Sequence, residues 1–251
     1  MSLNDLCVLY VFLYVILSQV GLSVYNFVCR KFKEDESNEV AGIMYGCISA
    51  IYSLLLAFII VAVWGNYEDL NKTIETESDK LSSILSQSAN LPDSIRLPID
   101  RAIGDYCRQV VNEQWHMKGK GETDRPSAIP GLRVMLLKVD SHDKMVNSVF
   151  HVIDDDLTSI NSLRRNRLSY NRSQVPDLVW FILKIGSLML VLFSYFFRVP
   201  SLKRKRVYLF FLTGFIAMCM FLIYELDHPF DGRAMISSSP YYNIILECDQ
   251  H

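Results

Sequence analysis

The sequence lacks a charge imbalance. Lys and Arg number 25 against 27 Asp and Glu in 251 residues, a formal net charge of −2. A nucleic-acid partner calls for a basic face, so this balance argues against one. The sequence also lacks a cysteine framework. Cys7, Cys29, Cys47, Cys107, Cys219 and Cys248 form no close pair, and four of them lie in or beside apolar stretches. Neither a disulfide scaffold nor a zinc site is expected. Enzyme signatures are missing too: there is no Gly-rich phosphate loop, no nucleophile elbow and no histidine pair at helical ligand spacing. His116, His142, His151, His228 and His251 are scattered. No polar cluster lies within the apolar runs, as a membrane-embedded enzyme would need. No alternating strand pattern competes with the helical one. The reading therefore assigns no catalytic residue, no cofactor and no metal ligand.

What the sequence has is long apolar runs, with 51% hydrophobic and 21% charged residues. From Gly42 to Trp64 there is no charge and no proline. About 20 such residues make a helix about 30 Å long, the thickness of bilayer hydrocarbon. This run is a transmembrane helix ending on Trp64, a residue suited to the water–lipid boundary. Polar residues follow at Asn66, Glu68 and Asp69 without a helix breaker, so the helix is expected to continue outward. Gly46, Ala50, Ser53 and Ala57, at spacings of four, three and four, share one face. Such a face either lets helix backbones approach closely in lipid or lines a narrow axial path.

Three further spans are expected: Leu6 to Val28, Leu178 to Phe197, and Val207 to Leu226. The first run has no basic n-region and is too long for an h-region, so no cleavable signal is expected. Ser18, Gln19, Ser23 and Asn26 make its second half the more polar, the half expected to face other helices. The fold class is an all-α integral membrane protein of four transmembrane helices with a helical extramembrane middle. Residues 1–64 carry the first two spans, 65–175 the middle segment, 176–227 the last two spans and 228–251 a tail.

The middle segment reads as helices. Leu70, Ile74, Leu81, Ile84 and Leu85 form a stripe leading out of the second span. Pro92-Asp93 marks a corner and a new start. A second helix carries Ile99, Ile103, Tyr106, Val110 and Val111 toward Trp115, and KGKGETDRP (118–126) is a loop. A short helix holds Leu132, Met135, Leu136 and Val139. A long one runs from Val146 to Leu163, into Arg164, Arg165, Arg167 and Arg172. The acidic run Asp154-Asp155-Asp156 reads as either a solvated helix face or a cation-attracting patch. In the tail, Ser239 is expected to cap a short helix with Pro240 at its first position.

One charge lies inside a span. Lys184 sits about two turns into the third, on the side of the middle segment, where Glu225 and Asp227 end the fourth. Such a charge is costly unless paired or hydrated. It is expected either to snorkel or to pair with Glu225, or else to attract anions at a pore mouth. Positive charge favours neither side strongly. The short loops carry eight basic residues (Arg30, Lys31, Lys33, Arg198 and Lys203 to Arg206) and the opposite side seven, which leans the short loops toward the cytoplasm.

Two motifs carry a resemblance. The second span exits through Trp64-Gly65-Asn66-Tyr67-Glu68-Asp69-Leu70, and the fourth through Glu225-Leu226-Asp227-His228-Pro229-Phe230-Asp231-Gly232. Asn38-Glu39 with Ala41-Gly42, Leu91-Pro92, Tyr106, Glu113 with Trp115, and Arg164, Arg167 and Leu168 ahead of Pro176 and Trp180 extend the pattern over about residues 38 to 236. The sequence resembles the bestrophin-like family of four-span membrane proteins, itself distantly similar to the bestrophin anion channels. The resemblance implies self-association into a homo-oligomer, pentameric in bestrophins. It also implies a second span lining the pore and middle helices forming a cytoplasmic vestibule, against the slight lean of the basic residues; the analogy is followed, because long segments obey charge counts poorly. The protein is expected to be multi-pass in a plasma or bacterial inner membrane, among membrane lipids, passing a small inorganic ion, with anions slightly favoured. Aligned on Trp64 and Tyr67, the bestrophin neck falls at Gly46, Ala50 and Leu54. The neck of bestrophins is bulky and partly aromatic, unlike these residues. Pro229-Phe230 also leads into almost no carboxylates, so no bestrophin-type calcium site is expected. The rival reading is a non-conducting membrane sensor or scaffold whose helical middle binds a protein partner.

Overall fold

The computed structural model describes residues 3–28, 38–115, 128–138, 144–170, 175–197, 199–230 and 235–249. Arg30 to Glu36, the 118–126 loop, Cys29, His116, Val139, His142, Arg172, Arg198, Gly232, Arg233 and His251 lie outside the described residues. The described residues form eight α-helices: α1 (Leu3–Val28), α2 (Asn38–Ser88), α3 (Asp93–Gln109), α4 (Ala128–Lys138), α5 (Lys144–Tyr170), α6 (Asp177–Ser194), α7 (Leu202–Asp227) and α8 (Ser239–Asp249). Helices α1, α2, α6 and α7 are long and apolar enough to cross a membrane. The second-span helix does continue outward: α2 is unbroken for 51 residues, about 76 Å at 1.5 Å per residue.

Three boundaries differ from those expected. Helix α1 begins at Leu3. Helix α6 stops at Ser194 rather than Phe197, and the amides of Tyr195 and Phe196 close tight turns onto the carbonyls of Leu192 and Phe193. Helix α7 starts at Leu202 rather than Val207. Lys and Arg are good helix formers, so the basic run Lys203 to Arg206 joins the helix instead of the link.

The chain divides into two compact units. The first comprises Met1–Gly65, Val175–Asp227 and Gly232–Ala234. In it α7 packs against α1 and α6, and Leu22, Val191, Tyr195 and Leu209 form a buried cluster. Ser18 and Gln19 do face a neighbouring helix: Ser18 Oγ lies 3.4 Å from Thr213 Oγ1 and Gln19 Nε2 donates to the Arg206 carbonyl at 2.9 Å. Ser23 instead stays exposed and donates to the Gln19 carbonyl of its own helix.

Two tyrosines pin this unit by the same device. Tyr52 of α2 lays its ring over Gly186 of α6 and donates its hydroxyl to the Leu183 carbonyl at 2.9 Å. Tyr195 lies over Gly21 of α1 and donates to the Ser18 carbonyl at 2.7 Å. In both cases the acceptor precedes the glycine by three residues, on the same helix face. A methyl added at Gly186 would stand 2.6 Å from the Tyr52 ring, so only glycine leaves room for it.

The second unit comprises Asn66–Gln174, His228–Asp231 and Met235–His251. The expected stripe on α2 is its core: Leu70, Ile74, Leu81 and Ile84 are fully buried, against Ile99 and Ile103 of α3 and Ile153, Leu157 and Ile160 of α5. The expected corner opens α3, with Pro92 at its cap position. Ser88 Oγ, 3.2 Å from Asp100 Oδ1, ties the end of α2 to α3 across that corner. Helix α3 runs into a single π turn, Val110–Gln114, closed by the Trp115 amide on the Val110 carbonyl at 3.0 Å. Trp115 is thereby set edge-on to Phe230 and Tyr241. Helix α8 begins at Ser239, with the Ser238 carbonyl as its first acceptor and Ser237 Oγ receiving the Ser239 amide. The cap thus lies one or two residues earlier than expected.

The glycine notch yields a prediction. Gly186→Ala forces the Tyr52 ring to shift, at the overpacking cost of about 1–3 kcal/mol. The melting temperature of the detergent-purified protein should fall, and adding Tyr52→Leu should recover part of the loss. An unchanged melt for Gly186→Ala would show that the contact is loose.

Candidate ion-path face and charged positions

Among the described residues, the face assigned to a pore is left uncovered. Gly46, Ala50, Ser53, Leu54 and Ala57 are all exposed, whereas Tyr52, Leu56 and Val63 on another side of α2 are buried. A methyl built at Gly46 would meet nothing within 4 Å. Among the described residues, the small residues therefore serve no packing inside one chain. Between Gly46 and Ala57 they span about 16 Å of helix. Ser53 Oγ donates to the Ala50 carbonyl at 2.9 Å and Ser49 Oγ to the Tyr45 carbonyl at 2.8 Å. These hydroxyl protons are turned back onto the helix, so the face is apolar and carries no fixed charge. Exposed Ile43, Ile51, Phe58 and Val61 flank it.

At the exit of the fourth span, Asp227 is buried and ties α7 to the start of α6. Its Oδ1 accepts the Val175 amide at 2.7 Å and its Oδ2 the Trp180 indole N–H at 3.3 Å. Glu225 is buried nearby in sequence. Lys184 is exposed, with its ammonium 5.7 Å from the centre of the Trp180 ring. That cation–π contact differs from the expected ion pair with Glu225: the indole, held by Asp227, offers its face one helical turn before Lys184. Of the remaining motif residues, Trp64 is half-exposed and Tyr67 packs on the core of the second unit. The Pro229 carbonyl accepts the Ile236 amide at 3.1 Å.

A buried polar clasp in the second unit was not anticipated from the sequence. Glu77 of α2 and Arg167 of α5 are both essentially inaccessible to solvent and pair through two bonds, Nε to Oε2 at 2.9 Å and Nη2 to Oε1 at 3.2 Å. The Tyr106 hydroxyl of α3 donates to Glu77 Oε1. The Tyr241 ring of α8 lies under the guanidinium, 5.7 Å from Cζ to ring centre. Burial, then the Glu77 carboxylate, pushes the Tyr106 phenol well above its ordinary 10.0. Burial likewise raises Tyr241. Burial is the largest single influence on Arg167 and disfavours its charge, but Glu77 together with Tyr241 and Tyr106 outweighs it, so Arg167 stays charged. The signal was in the stripe itself: Glu77 falls three residues after Ile74 and four before Leu81, a core position occupied by a carboxylate.

Outside the clasp, two members of the acidic run are engaged in ion pairs. Asp156 pairs with Lys80 at 2.7 Å and Asp154 with Arg133 at 2.7 Å, joining α5 to α2 and to α4. Among the described residues no group of His, Cys, Asp and Glu is arranged to hold a metal.

These features meet a known pattern. A family model for the bestrophin-like domain matches residues 11–241. The chain belongs to the bestrophin-like family. No curated protein matches it in sequence. Crystal structures of two single-substitution variants of a bacterial bestrophin homologue from Klebsiella pneumoniae share its fold. One has a TM-score of 0.65 at 13% identity, covering 96% of this chain and 98% of that chain. The other has a TM-score of 0.66 at 13% identity, covering 97% and 99%. At such identity the likeness is one of fold.

The clasp carries two predictions. Arg167→Met strands a buried carboxylate and should cost about 3–5 kcal/mol, read as a large fall in melting temperature; Arg167→Lys, which keeps the charge but loses the fork, should fall between. Raised phenols add stability that is complete below the unfolded value of 10.0 and is lost as pH climbs above it. Wild type should therefore lose stability steeply above that pH, and Tyr106→Phe should flatten this limb of a melt-versus-pH curve.

Proposed function

We propose that this membrane protein assembles into a homo-oligomeric ion channel whose second span lines the conduction path. Family and fold suggest a channel-like function. The observation that carries the finer reading is the small-residue face of α2, exposed and unused for packing within the chain. Copies arranged around an axis would bring Gly46, Ala50, Ser53, Leu54 and Ala57 together as an apolar passage. An apolar wall selects mainly by the cost of removing ion hydration and by the charges at its mouths. The exposed ammonium of Lys184 supports a slight preference for anions. Five subunits follow from the resemblance to bestrophins. On the same basis the middle segment, residues 65–175, is assigned to the cytoplasm, between membrane segments 1–64 and 176–227, with 228–251 as a tail. The membrane is a plasma or bacterial inner membrane.

Single-channel recording of purified protein in planar bilayers tests this reading. Unitary currents are expected, reduced or abolished by Ala50→Trp, with anion preference lowered by Lys184→Met in protein that still assembles. Silence at both polarities across ions and pH overturns the channel reading in favour of a sensor or scaffold. A Lys184→Met protein with wild-type selectivity removes that residue's role.

A further inference from the structure

Helices α1 and α7 enclose an open groove of about 960 Å³ in the first unit. Its walls include Ile16, Val20 and Val24 of α1 and Val207, Phe210 and Phe211 of α7. Most of these side chains are about half exposed or more. That volume is at the upper end of small-molecule sites, which run about 300–1,000 Å³. The groove is not apolar throughout. Arg206 lines it, and its backbone carbonyl is held by Gln19 Nε2 at 2.9 Å. Lys203 precedes Arg206 by three residues and Val207 by four, which places both cations on the helix face that continues into Val207, Phe210 and Phe211. Both are exposed. They sit in the first two turns of α7, where free backbone N–H groups and the positive end of the helix dipole add to their charge.

The geometry points to an anionic phospholipid as the occupant, its acyl chains along the valine and phenylalanine walls and its phosphate on Arg206 and Lys203. Such a lipid complements the groove in both charge and polarity. The groove lies on two helices fit to cross a membrane, so acyl chains surround it. Basic groups at the end of a groove between transmembrane helices favour an acidic headgroup over a zwitterionic one by Coulomb attraction, which acts on either side of the membrane. The site is independent of whether the protein conducts.

Native mass spectrometry of the delipidated, assembled protein tests the site, using phosphatidylglycerol and phosphatidylcholine of matched chains. Wild type should retain phosphatidylglycerol more tightly. With each interfacial cation contributing about five-fold, Lys203→Gln with Arg206→Gln should weaken phosphatidylglycerol about 30-fold and leave phosphatidylcholine unchanged. Val20→Trp, which fills the groove and keeps its charges, should weaken both lipids. It supplies the test if the charge variant fails to assemble. Equal affinity for the two lipids, or unaltered phosphatidylglycerol binding in both variants, overturns the proposal. Displacement by millimolar inorganic phosphate overturns it in favour of a plain anion site. Efficient cross-linking of Val24→Cys between subunits overturns it in favour of a second copy of the chain.

Discussion

Helices in lipid gain little from burying apolar surface against one another, because acyl chains are as apolar as leucine. The membrane unit must therefore take its specificity from shape and from hydrogen bonds, and the two tyrosine pins supply both. Each places a ring in the gap left by a glycine and bonds a carbonyl three residues earlier. A bond to a helix carbonyl uses that oxygen's second lone pair, so the helix keeps its own ladder. Tyr52 also settles which way α2 turns. With its ring seated on α6, the side bearing Gly46, Ala50, Ser53 and Ala57 is left exposed, away from the described helices of its own unit. The proposed ion path thus depends on a tyrosine that does not line it.

The second unit solves the opposite problem. It has a conventional apolar core, and a fully buried ion pair stands within it. Two desolvated charges are tolerated because their bonds are bidentate, a phenol satisfies further acceptor capacity, and an aromatic face covers the cation. The clasp draws one residue from each of α2, α3, α5 and α8, and apolar packing alone would allow those helices to slide. Lys80–Asp156 and Arg133–Asp154 repeat the tie at lower cost, in partly exposed positions.

Much of this was legible in the sequence. Length and continuity of apolar residues gave the four spans, and helical periodicity gave the core positions of α2 and α3, down to Leu70, Ile74, Ile99 and Ile103. Span ends were less legible, since Lys203 to Arg206 look like a loop by charge and behave as helix by propensity. The small face was visible, but its orientation needed the buried Tyr52 on another side of α2. Partner choice among charges was least legible. Lys184 and Glu225 suit each other by depth, yet the cation settles over Trp180. Glu77 and Arg167 are 90 residues apart, and nothing local in either neighbourhood indicates the other.

That separation bears on how the chain is made. At a synthesis rate of about 5–20 residues per second, Glu77 waits roughly 5–18 s for Arg167 to be added. The pins close over longer stretches still, 131 residues for Tyr52 with Leu183 and 177 for Tyr195 with Ser18. During translation the distal half of α2 is thus an amphipathic helix with a core carboxylate in water and no counter-ion. Neither unit acquires its specifying contacts until most of the chain has left the ribosome. A nascent or truncated chain ending before α5 would hold inserted spans and an unfinished core, the species on which cellular quality control would act.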